Sequence, residues 1–177
     1  LSHIYQNLGG NYLEEFLLLK AENDRILFEE KVRKEWLDYN GHMNDSEYAR
    51  VFSIGVDRVM KTIGITDEFR ENEQYTIYTL ETHLCYLQET MEGNPLRITF
   101  QLLDHDEKRL HVFFVMEDKG GNRLATSEQM LMGIDLKERR PAPFPPVIMK
   151  KIKAIAEEDK KIERPKEAGR VIGIRRK

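Results

Sequence analysis

The sequence predicts an α+β fold, in which an antiparallel sheet of about five strands wraps around one central helix and an extra helix follows near the C-terminus. Two observations predict it. Tyr48 to Ile63 carries apolar residues at helical spacing, and the chain beyond it switches to period two and stays there for four consecutive segments. Burying the helix's apolar stripe against a sheet built from those segments gives a single core, so residues 25–140 read as the domain. Residues 1–24 are then an N-terminal extension, and residues 141–177 hold a proline-rich connector, a surface helix and a basic tail.

Taken in order, Tyr12 to Leu19 could make a short helix within the extension, and Arg25 to Arg33 is a strand candidate with Ile26, Phe28 and Val32 as its apolar positions. In the central helix Tyr48, Val51, Phe52, Val56, Val59, Met60 and Ile63 share one face. Glu47, Arg50, Asp57, Arg58 and Lys61 take the other, and Gly64 supplies the stop. Asn44 with Glu47 three residues later reads as a capping box, with Asp45 a competing cap. The strand Tyr75 to Glu89 places Tyr78, Leu80, Leu84 and Tyr86 in one apolar row opposite Glu81 and His83, and Met91 to Pro95 closes it with turn chemistry. Leu96 to Leu103 alternates Leu96, Ile98, Phe100 and Leu102 with Arg97, Thr99 and Gln101. Leu110 to Met116 sets Leu110, Val112, Phe114 and Met116 against His111, Phe113 and Val115, so both faces are largely apolar, which suits a central strand. The turn Lys119-Gly120-Gly121-Asn122 leads into the last strand, Arg123 to Ile134. That strand puts Leu124, Thr126, Glu128, Met130, Met132 and Ile134 on one face, the face expected to meet the helix. Pro141 to Pro146 is a stiff connector into a helix over Val147 to Asp159. Sheets joined edge to edge would hide an open edge strand, so a homodimer or homotetramer is expected.

The formal charge of −3 offers no global electrostatic basis for binding nucleic acid or a membrane surface, and no apolar run reaches membrane-spanning length. Phe16 to Leu19 is too short for a signal core, so a cytoplasmic protein is expected. Cys85 is the only cysteine, which excludes an internal disulfide and a multi-thiolate zinc site. The histidines lack metal-site spacing, so no metal is expected. Gly9-Gly10 and Gly120-Gly121 lack the pattern of a phosphate-binding loop. Lys161 to Lys177 carries a net charge of +5.

The chemistry concentrates in Trp36-Leu37-Asp38-Tyr39-Asn40-Gly41-His42-Met43-Asn44-Asp45-Ser46-Glu47-Tyr48, a polar, glycine-containing loop immediately before the central helix. A helix start offers unpaired N–H groups and the positive end of the macrodipole, which suits a polarised carbonyl. The bland alternative is a turn that merely launches the helix.

With this loop and element order, the stretch from Ile26 to Ile134 resembles the hotdog-fold acyl-CoA thioesterases of the 4-hydroxybenzoyl-CoA thioesterase kind, whose Gly-His-Val-Asn-like sequence is matched by Gly41-His42-Met43-Asn44. More narrowly it resembles the thioesterases of carnitine and betaine catabolism. The residues carrying that are Asp38 to Asn44, Glu81-Thr82-His83 with Tyr86-Leu87, Glu128-Gln129-Met130-Leu131, and Gly169 to Ile174. The resemblance implies a hotdog fold, hydrolysis of a small or medium acyl-CoA, and coenzyme A as part of the substrate with no separate cofactor. It departs from the family at one position. The broad family often has a second aspartate two residues after the first, and here that position is Asn40, whose carboxamide cannot act as a general base.

Thioester hydrolysis needs a base for water and donors for the developing oxyanion. Helix-start N–H groups from Met43 to Asp45 are expected to supply the donors, with Asn40 and His42 positioning the thioester and Gly41, Met43, Asn44 and Tyr48 contacting the substrate. Asp38 and Glu128 compete as base. Glu128 sits on the face expected against the helix, where burial would raise its pKa, unless a bulge turns it outward or Arg50 or Arg58 pairs with it. Asp38 could instead serve only the turn, and His42 could be purely structural. Glu81 and His83 could form an acid–base pair or a surface pair. Ser46, Ser53 and Ser127 lack a nucleophile-elbow context. Arg170, Arg175, Arg176 and Lys177 in the basic tail are candidates for the coenzyme A phosphates, the alternative being a solvated tail. Tyr48, Phe52, Tyr78 and Tyr86 could line an acyl pocket, and aromatic faces suit a quaternary ammonium group. The alternatives to a thioesterase are a hotdog hydratase or dehydratase and a non-catalytic acyl-CoA-binding regulatory domain.

Overall fold

The computed structural model describes residues 26–174 and residue 176. The proposed helix within residues 1–24 and the candidates Arg175 and Lys177 lie outside the described residues. The elements are β1 (Ile26–Lys31), a single 3-10 turn (Lys34–Trp36), α1 (Asp45–Ile63), α2 (Asp67–Glu73), β2 (Tyr75–Tyr86), β3 (Pro95–His105), β4 (Arg109–Glu117), β5 (Arg123–Asp135), β6 (Arg140–Pro141) and α3 (Pro146–Asp159). The five long strands form one antiparallel sheet in the order β1-β3-β4-β5-β2, and the two-residue β6 pairs with β5. Among the described residues the expected strands and helices are present. Sequence reading did not anticipate α2, whose polar turns bury no residue, or the 3-10 turn.

Helix α1 forms because Tyr48, Val51, Phe52, Val56, Val59, Met60 and Ile63 recur every three or four residues, and all of them are buried. It ends at Gly64, where φ of +100° is natural for glycine and where Ile65 N–H donates to Met60 O at 2.8 Å, closing the last turn. A side chain at Gly55 would meet Phe114 at 3.3 Å and Ile98 at 3.7 Å, so helix and sheet come close at that point. Phe52 and Phe114 also face each other across the interface. Helix α3 docks through Ile148, Ile152 and Ala156, while Val147 points to solvent.

Two expectations about strand faces are overturned. The contacts of Phe114 and Ile98 with α1 identify the helix-facing side of β4 and β3, and the register pairs Phe114 with Ser127, Val112 with Gln129 and Met116 with Ala125. Odd positions of β5 therefore face the helix. Glu128 pairs with Phe113 on the opposite, outer face. Parity does not identify the helix-facing side because β5 is flanked by strands on both sides and covered on both faces, so apolar residues appear at even and odd positions alike. The second correction concerns β2, where a bulge between Thr79 and Glu81 shifts the register. Tyr78 consequently lies on the outer face, whereas Leu84 and Tyr86 face the helix side, and the expected single apolar row is broken.

Candidate functional site

The loop before α1 is a small closed hairpin. Asp38 N–H donates to His42 O at 2.8 Å, Gly41 N–H donates to Asp38 O at 3.1 Å, and Gly41 adopts φ of +80°. Inside it, Asp38 Oδ1 accepts from the N–H of Asn40 at 2.8 Å and of His42 at 3.2 Å. Asp38 thus builds the turn with one carboxylate oxygen, and no hydrogen bond to the other is present among the described residues. Tyr39 and Asn40 stand at the exposed tip.

The hairpin is locked against the chain that leaves β2. Met43 N–H donates to Thr90 O at 2.8 Å, His42 and Met91 form an isolated antiparallel bridge, and Asn44 N–H donates to Trp36 O at 2.8 Å. The buried Trp36 ring is flanked by the guanidinium groups of Arg33 at 5.0 Å and Arg50 at 5.5 Å. These bonds correct the expected oxyanion donors. The Met43 and Asn44 N–H groups are consumed by the scaffold, and Ser46 N–H is taken by the side chains of Asn44 and Asp45. Of the three expected donors, only Asp45 N–H has no acceptor among the described residues. The capping box is likewise absent: Asn44 caps Ser46, but Glu47 turns to Arg50 at 3.0 Å.

A cleft of about 440 Å³ opens beside the hairpin, lined by Asp38, Asn40, His42, Met43, Asn44, Asp45, Tyr48, Tyr86, Leu87, Gln88 and Glu89. Tyr48 and Tyr86 meet edge to face at 5.4 Å between ring centres. The Tyr48 hydroxyl donates to Gln88 O and that of Tyr86 to Asp45 O, each at 3.3 Å. Burial pushes both phenols upward, with the Asp45 charge adding to the effect at Tyr86. His42 Nδ1 lies 3.5 Å from Glu89 Oε2. The lining holds three carboxylates, from Asp38, Asp45 and Glu89, and no lysine or arginine.

The structure therefore gathers Asp38, Asn40, His42, Met43, Asn44 and Tyr48 at one place, with Gly41 shaping the turn. It does not bring Glu128 there. Glu128 Oε1 lies 2.7 Å from His111 Nε2 on the outer face, and its Oε2 accepts from Gly169 N–H at 2.7 Å. Neither Arg50 nor Arg58 is its partner. Glu81 and His83 are on that outer face too, His83 opposite Glu128. Arg170 reaches 4.0 Å from Cys85 Sγ, on the strand residue next to Tyr86. Of the proposed pocket aromatics, Phe52 is wholly buried in the core and Tyr78 is on the outer face. Glu89 and Gln88 were missed by sequence reading. Their only local signal is a polar run after a strand, and the bridge that carries them to His42 joins segments almost fifty residues apart. Among the described residues no cluster of His, Cys, Asp and Glu could hold a metal ion, and no helix is long and apolar enough to cross a membrane.

A model of the thioesterase-like superfamily matches residues 32–152, which include the hairpin, the cleft and every strand of the sheet except β1. The chain belongs to that superfamily. It is 40% identical over 148 residues to a betainyl-CoA thioesterase of Pseudomonas aeruginosa, covering 83% of this chain and 93% of that one. It is also 39% identical over 159 residues to an L-carnitine dehydrogenase/betainyl-CoA thioesterase of Rhizobium meliloti, covering 89% of this chain and 32% of that longer protein. Among solved structures, a hypothetical protein from Staphylococcus aureus in complex with CoA superposes with a TM-score of 0.81 at 34% identity, covering 85% of this chain and 96% of the other. A putative thioesterase from Pseudomonas putida gives 0.74 at 33% identity, with 85% and 97% covered. The fold is the hotdog fold, and this member of the superfamily is an acyl-CoA thioesterase, a thioester hydrolase.

Proposed function

We propose that this acyl-CoA thioesterase acts on acyl groups bearing a quaternary ammonium, of which betainyl-CoA is the type, and hydrolyses them by water attack in the hairpin cleft. The observation that carries the reading is the cleft's charge and lining together. Three carboxylates and the half-exposed Tyr86 ring, backed by the buried Tyr48, line a space with no lysine or arginine. A trimethylammonium group has no N–H to donate, so it is stabilised by nearby negative charge and by aromatic faces, and this lining supplies both. The relatives named as betainyl-CoA thioesterases support the same substrate class.

In the chemical step Asp38 Oδ2 takes a proton from water as the water oxygen bonds to the thioester carbon. The developing oxyanion is received by Asp45 N–H at the start of α1, where the helix dipole favours negative charge. Asn40 orients the water or the carbonyl without acting as base. His42, with Nδ1 turned to Glu89, is left with Nε2 to contact the thioester. Collapse breaks the C–S bond, and the proton passes to the departing coenzyme A thiolate. Coenzyme A enters as part of the substrate, and Arg170, which has no carboxylate partner among the described residues, receives its phosphates.

The working unit in this reading is a homodimer. Strand β2 is twelve residues long, lies at the sheet edge and exposes Tyr78, Leu80 and Tyr86 by half their surface or more. A long apolar edge is protected when a second copy pairs with it, and the cleft at Tyr86 then lies at the subunit boundary.

The test of substrate class compares betainyl-CoA with tert-butylacetyl-CoA, its neutral isostere. Charge and cation–π terms predict a kcat/KM preference of about 10- to 100-fold for the cation. Equal rates would overturn the reading.

A further inference from the structure

The residues after α3 form a strap across the outer face of the sheet. At β3, Leu102 N–H donates to Asp159 Oδ2 at 2.6 Å, and Gln101 Nε2 donates to the carbonyls of Asp159 and Ile162 at 3.4 Å. At the start of β5, Arg123 pairs with Glu167 at 3.0 Å. In the middle of β5 comes the Glu128 anchor on Gly169, and the next residue, Arg170, hangs over Cys85 on the β2 edge. Gly169 has φ of +74°, so the chain turns there.

Glu128 is the last anchor before Arg170. Its side chain is only 14% exposed, its two oxygens have different partners, and His111, 24% exposed, holds the carboxylate from the β4 side. A carboxylate that is mostly buried and fixed at both oxygens is badly placed to take a proton from water on the far side of the sheet. It is well placed to fix the backbone of the strap.

We infer that Glu128, steadied by His111, is a positioning residue: it pins Gly169 so that Arg170 stands at the β2 edge, one strand residue from the cleft, where the phosphates of coenzyme A are received. This rests on the assignment of Arg170 to those phosphates. The pantetheine arm then rounds the end of β2, beyond Tyr86, from Arg170 on the outer face to the hairpin on the helix side.

The test uses two substrates, betainyl-CoA and betainyl-pantetheine, which carries the same thioester without nucleotide phosphates. The readout is the ratio of their kcat/KM values in the full-length protein. Arg170→Ala should lower the ratio by about tenfold or more, the loss of one charge-assisted contact. Glu128→Ala should lower it comparably through KM for the CoA ester, and the double variant should fall no further than Arg170→Ala alone, because both act by one route. Glu128→Gln, whose amide oxygen still accepts from Gly169 N–H, should keep the ratio within about threefold of wild type. Glu128→Thr removes the long acceptor with a residue suited to a strand, and it carries the test if the alanine variant fails to fold. If Arg170→Ala lowers the ratio but removal of the Glu128 acceptor does not, the positioning role is overturned and the phosphate assignment stands. If Arg170→Ala leaves the ratio unchanged, the phosphate assignment fails and the inference with it. A kcat loss on both esters in Glu128→Gln would make Glu128 part of the chemistry and overturn the inference.

Discussion

Asp38 carries two separable duties, and two substitutions part them. Its Oδ1 closes the hairpin through N–H groups at 2.8 and 3.2 Å, while Oδ2 is the proposed base. Asp38→Ala removes both bonds. Bonds to a charged acceptor contribute about 1.5–3 kcal/mol each when well formed; here one is long and the loop is half open to water, so the loss should total about 1–3 kcal/mol. In a chain of this length that lowers Tm by roughly 2–12 °C. Asp38→Asn keeps a carbonyl oxygen of the same reach, so the turn survives with a loss below about 1 kcal/mol. Both variants lack a base, and turnover should fall about 10²–10⁴-fold in each. Thermal melts followed by circular dichroism report the first quantity, and coenzyme A release with a thiol reagent reports the second. An asparagine variant that is stable yet within about threefold of wild-type turnover would refute the base assignment and leave Asp38 as a turn residue only.

Asn40→Ala should reduce kcat more than it raises KM, since the carboxamide acts mainly in the transition state; an unchanged kcat would remove Asn40 from the chemistry. Gly133→Ala should cost about 1–3 kcal/mol, because the added methyl would run into the buried Tyr75 hydroxyl and the Ala142 carbonyl at 2.9 Å. In a Tyr75→Phe background the same change should cost less, and urea melts giving equal costs would show that the hydroxyl is not the obstacle. Asp106 is held down to about 2 by the N–H of Lys108 and, against partial burial, by Arg109. Its folded pKa lies below the unfolded value, so its contribution is complete above about pH 4 and is lost as pH falls through about 2. The stability gap between wild type and Asp106→Ala should therefore narrow on acidification, and a gap that is constant from pH 7 to pH 2 would contradict the assignment. Sedimentation should show a homodimer that Leu80→Lys weakens; a fully active monomer would remove the subunit-boundary site.

Much of the fold was legible because its signals are local. The stripe from Tyr48 to Ile63, the stop at Gly64 and the alternation of Leu96, Ile98, Phe100 and Leu102 each depend on neighbours within a turn or a pleat. The hairpin was legible as a site for the same reason, since Asp38 to Asn44 packs turn residues and polar groups into seven positions. Glu128 was misplaced by reasoning of the same kind. Strand parity names two faces but does not say which one meets the helix, and in β5 the outer face is covered by a strap that begins some thirty residues later. The expected oxyanion donors failed likewise: a helix start has spare N–H groups in isolation, but Thr90 and Trp36 supply acceptors from elsewhere in the chain.

The sequence by itself determined the order of the elements, the hairpin motif before α1 and the membership in a thioester-hydrolysing superfamily, because periodicity, turn chemistry and a motif are properties of consecutive residues. Only the tertiary structure decided that the bulge in β2 sends Tyr78 and Tyr86 to opposite faces, that Glu89 joins His42 while Glu128 joins Gly169, and that Arg170 ends at the sheet edge. Those outcomes depend on strand register and on bonds between segments tens of residues apart, and such pairings are selected by the packing of the whole domain rather than by the preferences of any one stretch.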